Sequence, residues 1–364
     1  MNWPTKKLGE VCELIRGSEP GSESYFDETN KERIRFIRVG DISGKADQPK
    51  FIDKKLSNLV VVNPDEILIS FDGTPGIVAK GWSGAIASGI RVIRNIKPEI
   101  LKEFLFYYLQ TSEPQKVIKF YTTGVTILHA SRAIPHIKIP VPSLSIQQKI
   151  VERLDAIKKA QELNDKQIEL AEELFQSLLH RELDPKGKNW EVKKLGEVCE
   201  KLFAGGDVPK NNFSKVKTEK YFIPIFTNGI EGKDLYGYTD IKKVIKPAVT
   251  ISARGTIGYC SLRKEPFYPI IRLIVLIPNK TINLNFLYYT ICNFKFFNTG
   301  TSIPQLTIPM IKNLKIPLPP LETQQKIVEK LSAVQEYKKK LLDQKQKLQE
   351  LFESVLNKSF KSQL

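Results

Sequence analysis

Short segments rich in strand-forming residues fill most of the chain, and glycine, proline, asparagine and aspartate separate them. Apolar runs of four or five residues between turn-forming residues are typical of β-strands. The pattern predicts strands at residues 36–39, 66–70, 90–93, 249–252, 258–262 and 271–275. Two aromatic segments, 104–108 and 286–289, predict a helix near the end of each strand-rich region. We expect their rings to pack in the core rather than to form a stacking platform.

Two long segments change to a helical spacing, in which seam positions recur at alternating steps of four and three residues. This spacing is typical of a coiled coil. The apolar seam residues are Ile150, Leu154, Ile157, Ile168, Phe175 and Leu178 in the first segment, and Ile327, Leu331, Val334, Leu341, Leu348, Phe352 and Val355 in the second. Each segment predicts a helix of roughly 35–40 residues, or about 55 Å. Ser145 and Gln148 predict a capping box at the start of the first helix.

Opposite charges distinguish the two predicted helices. The middle of the first carries Glu162, Asp165, Glu169, Glu172 and Glu173, whereas the second carries Lys338, Lys339, Lys340, Lys345 and Lys347. This contrast favours an antiparallel pair within one chain over self-pairing in a dimer. Such a pair would place the two strand-rich regions at opposite ends, related by an approximate two-fold axis. The alternative is that each helix packs separately on its own globule.

The chain is an internal duplication. Trp3 and residues 6–13 recur as Trp190 and residues 193–200, and residues 139–142 recur as 316–319. Because each copy is much longer than the roughly 20–50 residue period of a solenoid, each is a domain with a connecting element. The predicted segments are a globular domain at 1–142, a long helix at 143–183, a linker at 184–189, a second globular domain at 190–320 and a second long helix at 321–361.

Composition points to a nucleic-acid partner. The 364 residues support about two domains, and 56 Lys+Arg against 40 Asp+Glu give a net charge of +16. A surplus of this size favours an anionic partner, of which nucleic acid is the leading class. A basic protein from a lysine-rich proteome is the alternative that net charge leaves open.

Familiar enzymatic motifs are missing from the sequence. It has no phosphate-binding loop, no dinucleotide-binding glycine pattern and no nucleophile elbow. Its four cysteines and three histidines show no zinc-site spacing, so we expect no metal or cofactor, and we expect Cys12 and Cys199 to be small core residues. With no apolar run of about 18 residues and no signal-peptide core, we expect a soluble cytoplasmic protein that does not contact membranes.

Two glycine-containing segments, 70–76 and 252–258, follow a predicted strand in each copy. They predict tight turns that need positive φ, and they serve either as structural hairpins or as loops that face nucleic acid. Thr123-Gly124 and Thr299-Gly300 form a second repeated turn with the same two alternatives. Polar residues near strand ends are candidates for DNA contact. They are Arg38, Asp41, Ser70, Asp72, Thr74 and Arg91 in the first copy, and Asn228, Ser252, Arg254, Thr256 and Arg263 in the second.

These motifs resemble the specificity subunit of type I DNA restriction-modification enzymes over essentially the full length. The resemblance rests on Trp190 with Lys194–Val198, on Ile251–Gly258, and on Ile303-Pro304-Gln305-Leu306 leading to Lys315–Val328. It implies two target recognition domains, each binding half of a split DNA sequence. It also implies that the helices dock two methyltransferase subunits, which bind S-adenosylmethionine, and that restriction subunits join the complex.

The first copy departs from the family pattern at two positions. Asp72 stands where the second copy has Arg254, and no Pro-Gln pair follows the first Thr-Gly turn at Leu128. A shared contact role for Arg254 and Gln305 is therefore open. The stretches at about 16–65 and 202–245 hardly align, as expected for two domains that recognise different sequences on a common frame.

The sequence thus predicts an α+β protein with two mixed globules joined by an antiparallel two-helix coiled coil. The predicted function is sequence-specific recognition of a bipartite DNA target without catalytic residues in this chain. Two alternatives remain at this point. One is a self-sufficient nuclease with unrecognised carboxylates, and the other is a protein-binding scaffold whose charge is incidental.

Overall fold

The computed structural model describes residues 3–230, 232–294, 296 and 305–360. The chain forms two compact units, Met1–Asp165 with Gln344–Leu364 (unit 1) and Lys166–Asp343 (unit 2). It crosses from one unit to the other inside its two long helices. Each unit therefore contains one strand-rich globule and a part of both helices.

The first copy begins with short strands and ends in a long helix. Its strands are β1 (Thr5–Lys7), β2 (Glu13–Arg16), β3 (Arg33–Ile37), β4 (Lys50–Asp53), β5 (Val61–Val62), β6 (Ile67–Ser70), β7 (Asp72–Gly73), β8 (Val78–Ala79), β9 (Gly84–Ile86), β10 (Ile90–Arg94), β11 (Leu128–His129) and β12 (Lys138–Pro140). Its helices are α1 (Leu8–Val11), α2 (Val39–Ile42), α3 (Lys102–Leu109), α4 (Ser112–Phe120) and α5 (Leu144–Leu183), with 3-10 turns at Ser22–Ser24 and Ser131–His136.

The second copy follows the same plan. Its strands are β13 (Glu191–Lys194), β14 (Cys199–Ala204), β15 (Ile223–Phe226), β16 (Leu235–Thr239), β17 (Ala248–Ile251), β18 (Cys260–Arg263), β19 (Tyr268–Pro269), β20 (Ile274–Pro278) and β21 (Lys315–Leu318). Its helices are α6 (Leu195–Val198), α7 (Leu284–Cys292), α8 (Ile308–Lys312) and α9 (Leu321–Ser359).

The two globules share one sheet topology. An antiparallel sheet has the order β2-β10-β6-β8 in unit 1 and β14-β20-β17-β18 in unit 2. A second sheet contains β4-β3-β9-β5 in unit 1 and β16-β15-β19 in unit 2, and in both cases one pair, β3–β9 or β15–β19, is parallel. The stretches that hardly align in sequence lie largely in this second sheet. They therefore build the same frame from different residues.

Three predicted strands end or begin two or more residues from the expected position, and one of them, predicted at 258–262, begins only at Cys260. The strand predicted at 36–39 ends at Ile37, because Val39 opens the short helix α2. The strand predicted at 271–275 begins only at Ile274, because Ile271 and Arg272 form a turn with φ of 50° and 60°. The aromatic segments lie within α3 and α7, and their rings are buried except that of Tyr288, which is half-buried, so the expected core role is confirmed.

The repeated Leu-Gly-Glu-Val motif forms one helical turn at the start of each globule. The Glu10 carboxylate accepts a hydrogen bond from Lys7 N at 2.7 Å, and Glu197 accepts from Lys194 N at 3.1 Å. The leucine and the valine of each motif are fully buried. Cys12 is buried and Cys199 half-buried, and burial raises the pKa of each thiol to about 12. The repeat is thus a capped, buried turn.

A Gln-Gln pair recurs near the start of each long helix, at residues 147–148 and 324–325. Its first glutamine connects the helix to its globule. Gln147 Oε1 accepts from Leu101 N at 2.8 Å, while Nε2 donates to Glu99 O and Pro142 O at 2.8 and 2.9 Å. The corresponding Gln324 side chain bonds to Asn283 N, Thr281 O and Pro319 O. Both glutamines are fully buried, so this motif satisfies backbone groups where the globule meets the helix.

The long helices run antiparallel within each unit. In unit 1, Gln161 Nε2 lies 3.3 Å from Gln349 Oε1, and Lys345 Nζ lies 2.9 Å from Asp165 Oδ1. In unit 2, Lys338 Nζ lies 2.5 Å from Glu172 Oε2, and Lys330 Nζ lies 3.2 Å from Glu182 Oε2. The charge contrast in the sequence therefore corresponds to ion pairs between the helices.

The helices pair and also pack on the globules: the start of each packs on its own globule, through Ile150 in α5 and Ile327 in α9, and its later part packs on the other globule. The alternative of two helices that pack separately is therefore wrong. Phe352 lies 6.2 Å from Tyr107 in unit 1, and Phe175 lies 6.0 Å from Tyr289 in unit 2, ring centre to ring centre. Among the predicted seam residues, Ile150, Leu154, Ile327, Leu331 and Leu341 are buried, while Ile157, Ile168, Phe175, Leu178, Val334, Leu348, Phe352 and Val355 are half-buried.

The predicted capping box at Ser145 is wrong. The first helix already begins at Leu144, because Ile146 N and Gln147 N bond to Ser143 O. Gln148 Nε2 instead donates to Glu152 one turn further on. The predicted linker at 184–189 forms a turn in unit 2, with Lys188 N bonded to Pro185 O.

Candidate nucleic-acid interface

The glycine loops at 70–76 and 252–258 share two backbone hydrogen bonds and two glycines with positive φ. In each loop, the first residue donates its N–H to the residue after the loop and accepts from the last glycine. The bonds are Ser70 N to Ile77 O and Gly76 N to Ser70 O in unit 1, and Ser252 N to Tyr259 O and Gly258 N to Ser252 O in unit 2, all 2.8–2.9 Å. The glycines at positions four and seven have φ between 67° and 94°. The predicted need for positive φ is confirmed.

A divergent turn lies against each glycine loop. In unit 1 a Cβ atom on Gly73 would lie 3.7 Å from Val39 Cγ1, so the start of α2 contacts the loop. In unit 2 Asn228 Oδ1 accepts from Ala253 N at 2.8 Å, and Gly229 N donates to Ser252 Oγ at 3.1 Å. The surface of each loop is therefore bordered by a segment that differs between the copies.

A polar cluster occupies the loop surface in unit 1. His129 Nδ1 lies 2.8 Å from Asp72 Oδ1, and the two residues belong to the paired strands β11 and β7. Arg91 lies behind them, 3.8 Å from Asp72 Oδ2, and donates to Ser131 Oγ at 3.0 Å. Burial lowers the pKa of the Arg91 guanidinium, while the Asp72 carboxylate opposes that shift. The His129 side chain is 59% exposed and Asp72 only 14%, so His129 is the outward member.

A different pair occupies the same surface in unit 2. Gln305 Oε1 accepts from Arg254 Nε at 2.8 Å and from Arg254 Nη2 at 2.5 Å. Arg254 is exposed and Gln305 half-buried, so here the residue on the glycine loop points outward. Thr256, two residues further along the loop, is also exposed.

Several predicted contact residues are buried or half-buried and are bonded within their own unit. Asp41 pairs with Arg35 and Arg38, Ser70 donates to Thr74 O, and Ser252 bonds to Gly229. Arg263 pairs with Asp234 and lies 3.6 Å from the centre of the Phe226 ring. Arg91 is only 6% exposed, and the amide of Asn228 bonds at both ends, to Ile271 O and Ala253 N. The structure gives these side chains internal partners.

Basic side chains border the accessible candidates in unit 1. Arg38 lines an open pocket of about 630 Å³ together with Lys45 and Lys50. Thr74 lines a second pocket of about 620 Å³ together with Lys116 and Lys119. Both pockets therefore combine a predicted contact residue with two lysines, the composition expected for contacts to phosphate groups.

A strained turn borders the interface in unit 2. Ile271 and Arg272 occupy the left-handed region at φ of 50° and 60°, and both side chains are exposed. A tight turn with two such residues normally takes asparagine or glycine, and each strained residue costs about 1–3 kcal/mol. Backbone bonds from Ile271 N to Gly206 O and from Arg272 N to Gly205 O hold the turn. Asn228 links it to the glycine loop through Ile271 O.

A comparison with protein families assigns this architecture. The type I restriction modification DNA specificity domain matches twice, at residues 1–173 and 187–351. The chain belongs to this family. A protein of Mycoplasma pneumoniae named as a type I specificity subunit is 30% identical over 350 residues, covering 89% of this chain and 86% of the relative. The specificity subunit of the type I restriction enzyme MjaVIII from Methanocaldococcus jannaschii is 25% identical over 408 residues, covering 98% and 91%.

Solved structures share the fold. The S subunit of a type I restriction-modification system from M. genitalium has a TM-score of 0.61 at 16% identity, covering 99% of this chain and 96% of that one. A chain from a structure of type I complex assembly and conformational transition has a TM-score of 0.68 at 20% identity, covering 100% and 98%. The predicted α+β fold with two tandem domains is confirmed.

Membership in the family also fixes what the chain does not do. Specificity subunits are non-catalytic and work within complexes with DNA, and methylation and cleavage reside in other subunits. Within the described part of the chain, no group of acidic, histidine or cysteine side chains is arranged to hold a metal ion. None of the described helices is long and apolar enough to cross a membrane.

The sequence does not reveal that His129 and Gln305 occupy equivalent positions, because the two copies differ by one residue in the length of the segment that follows. The Lys-Ile-Pro strands repeat at a shift of 177, which aligns Gln305 with Leu128. In the structure Ala130 N bonds to Phe71 O and Leu306 N bonds to Ala253 O, so Gln305 corresponds to His129. The segment between this point and the next strand is one residue longer in unit 2. Thr299, Gly300, Ile303 and Pro304 of the predicted motifs lie outside the described residues.

Proposed function

We propose that this chain is the DNA-recognition subunit of a type I restriction-modification complex and that each globule binds one half of a bipartite asymmetric target. The observation that carries the proposal is the tandem specificity domain, whose two copies share a frame and differ at the exposed loop surface. Equal frames would place equivalent loops on each half-site. Different side chains on those loops would select different bases.

The burial of the side chains narrows the set of DNA contacts. We propose Arg38, Thr74, Arg254 and Thr256 as contacts among the sequence candidates, and Arg272 as an addition. These side chains are at least partly exposed, whereas Asp41, Ser70, Arg91 and Ser252 are buried, Arg263 is half-buried, and all five bond internally. The buried residues would shape the surface, and the basic surplus of +16 would supply phosphate contacts.

The long helices are the proposed docking surface for two methyltransferase subunits. Each helix begins with the same exposed residues, Gln148, Lys149 and Glu152 in α5 and Gln325, Lys326 and Glu329 in α9. These side chains are exposed, and although Gln325 Oε1 accepts from Asn283 Nδ2 at 3.1 Å, neither the core nor the helix pair requires the repetition of the whole set. Two copies of one partner would require two equal surfaces. Restriction subunits would join through the methyltransferases, and the complex would act on DNA in the cytoplasm.

Methylome sequencing tests the function directly. We expect cells that express this chain with its methyltransferase to carry one split methylated-adenine motif, which disappears when the chain is deleted. Deleting the methyltransferase while keeping the chain should abolish the same motif. A control in which the chain is restored from a plasmid should bring back the identical motif and spacer.

Two results would contradict the proposal. One is a methylation pattern that is unchanged when the chain is removed and restored. The other is cleavage of duplex DNA by the purified chain with Mg²⁺ and no partner, because that would make the chain a nuclease. Failure of the chain with its methyltransferase to bind any duplex would instead favour a protein-binding scaffold.

A further inference from the structure

The pairs Asp72–His129 and Arg254–Gln305 lie at the same position in the two globules. In each case one member of the pair directly follows the residue whose carbonyl oxygen accepts a backbone hydrogen bond from the returning segment, Phe71 or Ala253. The other member immediately precedes the donor, Ala130 or Leu306. One backbone hydrogen bond, of 2.7 Å in unit 1 and 3.0 Å in unit 2, thus fixes each pair.

Each pair contains one outward residue and one residue that orients it. In unit 1 the exposed imidazole of His129 is oriented by Asp72, which the buried Arg91 approaches from behind. In unit 2 the exposed guanidinium of Arg254 is oriented by Gln305. In unit 2 the outward residue, Arg254, lies on the glycine loop, whereas in unit 1 the outward residue, His129, lies on the returning segment. The backbone hydrogen bond that joins the loop to the returning segment is the same in both units. A merely structural contact would not require a polar outward side chain in both copies.

The free atoms of the outward residues differ in hydrogen-bonding chemistry. Gln305 engages Arg254 through Nε and Nη2, which leaves the fork formed by Nη1 and Nη2 for another acceptor. A carboxylate accepts, so Nδ1 is the His129 nitrogen that donates to Asp72, and in the neutral tautomer that makes this bond Nε2 is an acceptor. One surface therefore offers a double donor and the other a single acceptor.

We infer that Arg254 and His129 are equivalent base-contacting residues, one for each half-site, and that Gln305 and Asp72 are their positioning residues. This inference rests on the proposed function. The Arg254 fork matches the O6 and N7 acceptors of guanine in the major groove. His129 Nε2 matches the exocyclic amino group of adenine or cytosine. Because the frames are equal, the two contacts fall at the same offset within their half-sites.

The test determines the methylated motif of the full chain with its methyltransferase, for the wild type and for variants at each pair. Arg254→Ala should lower discrimination at one guanine of one half-site by about 10- to 100-fold and leave the other half-site unchanged. His129→Ala should relax the equivalent adenine or cytosine position in the other half-site only. Each variant is thus the control for the other, and Lys280→Ala, an exposed charge beyond the far end of β20, controls for the loss of net charge.

The positioning residues have a separate signature. Gln305→Ala should weaken the preference at the same base position as Arg254→Ala. Gln305→Glu should keep that preference, because a carboxylate can also accept hydrogen bonds from the guanidinium. Asp72→Ala should relax the position that His129 contacts. Circular dichroism of each variant verifies folding, and the unchanged half-site verifies the assembly of the complex.

Three outcomes have distinct meanings. If the wild type produces no split motif, the proposed function fails and the inference fails with it. If the wild type produces the motif and every variant retains it unchanged, only the inference fails. If Arg254→Ala weakens binding uniformly over all sequences and lowers the salt slope, Arg254 contacts a phosphate and the assignment of a guanine contact is overturned.

Discussion

At the residue scale, the repeated Gln-Gln pair shows how one motif serves two purposes. Gln147 and Gln324 are fully buried and each bonds to three backbone groups, whereas Gln148 and Gln325 lie exposed on the helix surface. The sequence displays both residues as equally repeated. Only the burial separates the residue that holds the fold from the one available to a partner.

Gln147→Ala should destabilise unit 1, because it removes the partner of three backbone groups, of which Pro142 O is buried and Leu101 N and Glu99 O are partly buried. An unsatisfied buried group costs about 1–3 kcal/mol and water can reach the other two, so we expect a loss of about 2–4 kcal/mol in the free energy of unfolding. Gln148→Ala, one position along the same helix, should change it by less than about 0.5 kcal/mol. Urea unfolding followed by circular dichroism measures both variants. Equal losses for the two would contradict the assigned role of Gln147.

Many site residues could be named from the sequence, but their roles could not. Polar residues near strand ends were candidates, and the structure divides them into internal partners, such as Arg263 with Asp234, and outward side chains, such as Arg254. The Arg272 turn had no signal, because isoleucine and arginine do not predict a left-handed turn. His129 had no signal either, because the repeat shifts by one residue just after it.

At the element scale, charge directs the pairing of the long helices. The pKa of Glu172 is lowered mainly by its hydrogen bond from Lys338 and also by Gln176, with burial opposing. Burial acts to raise the pKa of Glu182, but the hydrogen bonds from Lys330 and Arg181 outweigh it. Both carboxylates therefore favour the ionised form in the folded pair.

Reversing one member of the Lys338–Glu172 pair should weaken the helix pair. Because both side chains are partly exposed, Lys338→Glu should cost about 1 kcal/mol, and adding Glu172→Lys should recover most of that loss. Lys339→Glu is the matched control, since it makes the same charge change at an exposed position. A double-mutant cycle by urea unfolding measures the coupling. Additive effects of the two reversals would exclude a specific pair.

The same pair should show a defined pH dependence. A carboxylate whose pKa is lowered on folding stabilises fully above its unfolded value, here 4.5, and loses that contribution as pH falls through the lowered folded value. The stability difference between the wild type and Glu172→Gln should therefore be constant above about pH 5 and shrink below about pH 4.5.

At the scale of the whole molecule, the net charge of +16 should dominate the affinity for DNA. If the complex makes about 6–10 phosphate contacts, its affinity should fall by about 10³- to 10⁵-fold between 50 and 200 mM salt. Filter binding or fluorescence anisotropy with the target duplex and with random duplexes measures the slope. The random duplexes should show a similarly steep dependence at lower affinity. A change of less than about tenfold for both would contradict an electrostatic contact with the phosphates.

The sequence by itself determined the duplication, the two long helices, the strand-rich globules and the family. These features are carried by local periodicity and by exact repetition, such as the buried Leu-Gly-Glu-Val turn, which the chain displays without its fold. The tertiary structure decided which polar residues face outward and which satisfy the core. It also showed that the divergent stretches form an equivalent sheet in each unit, and that His129 occupies the position of Gln305. These facts depend on hydrogen bonds and packing contacts between segments that are distant in the chain. Such contacts produce no periodic pattern of residues in the sequence.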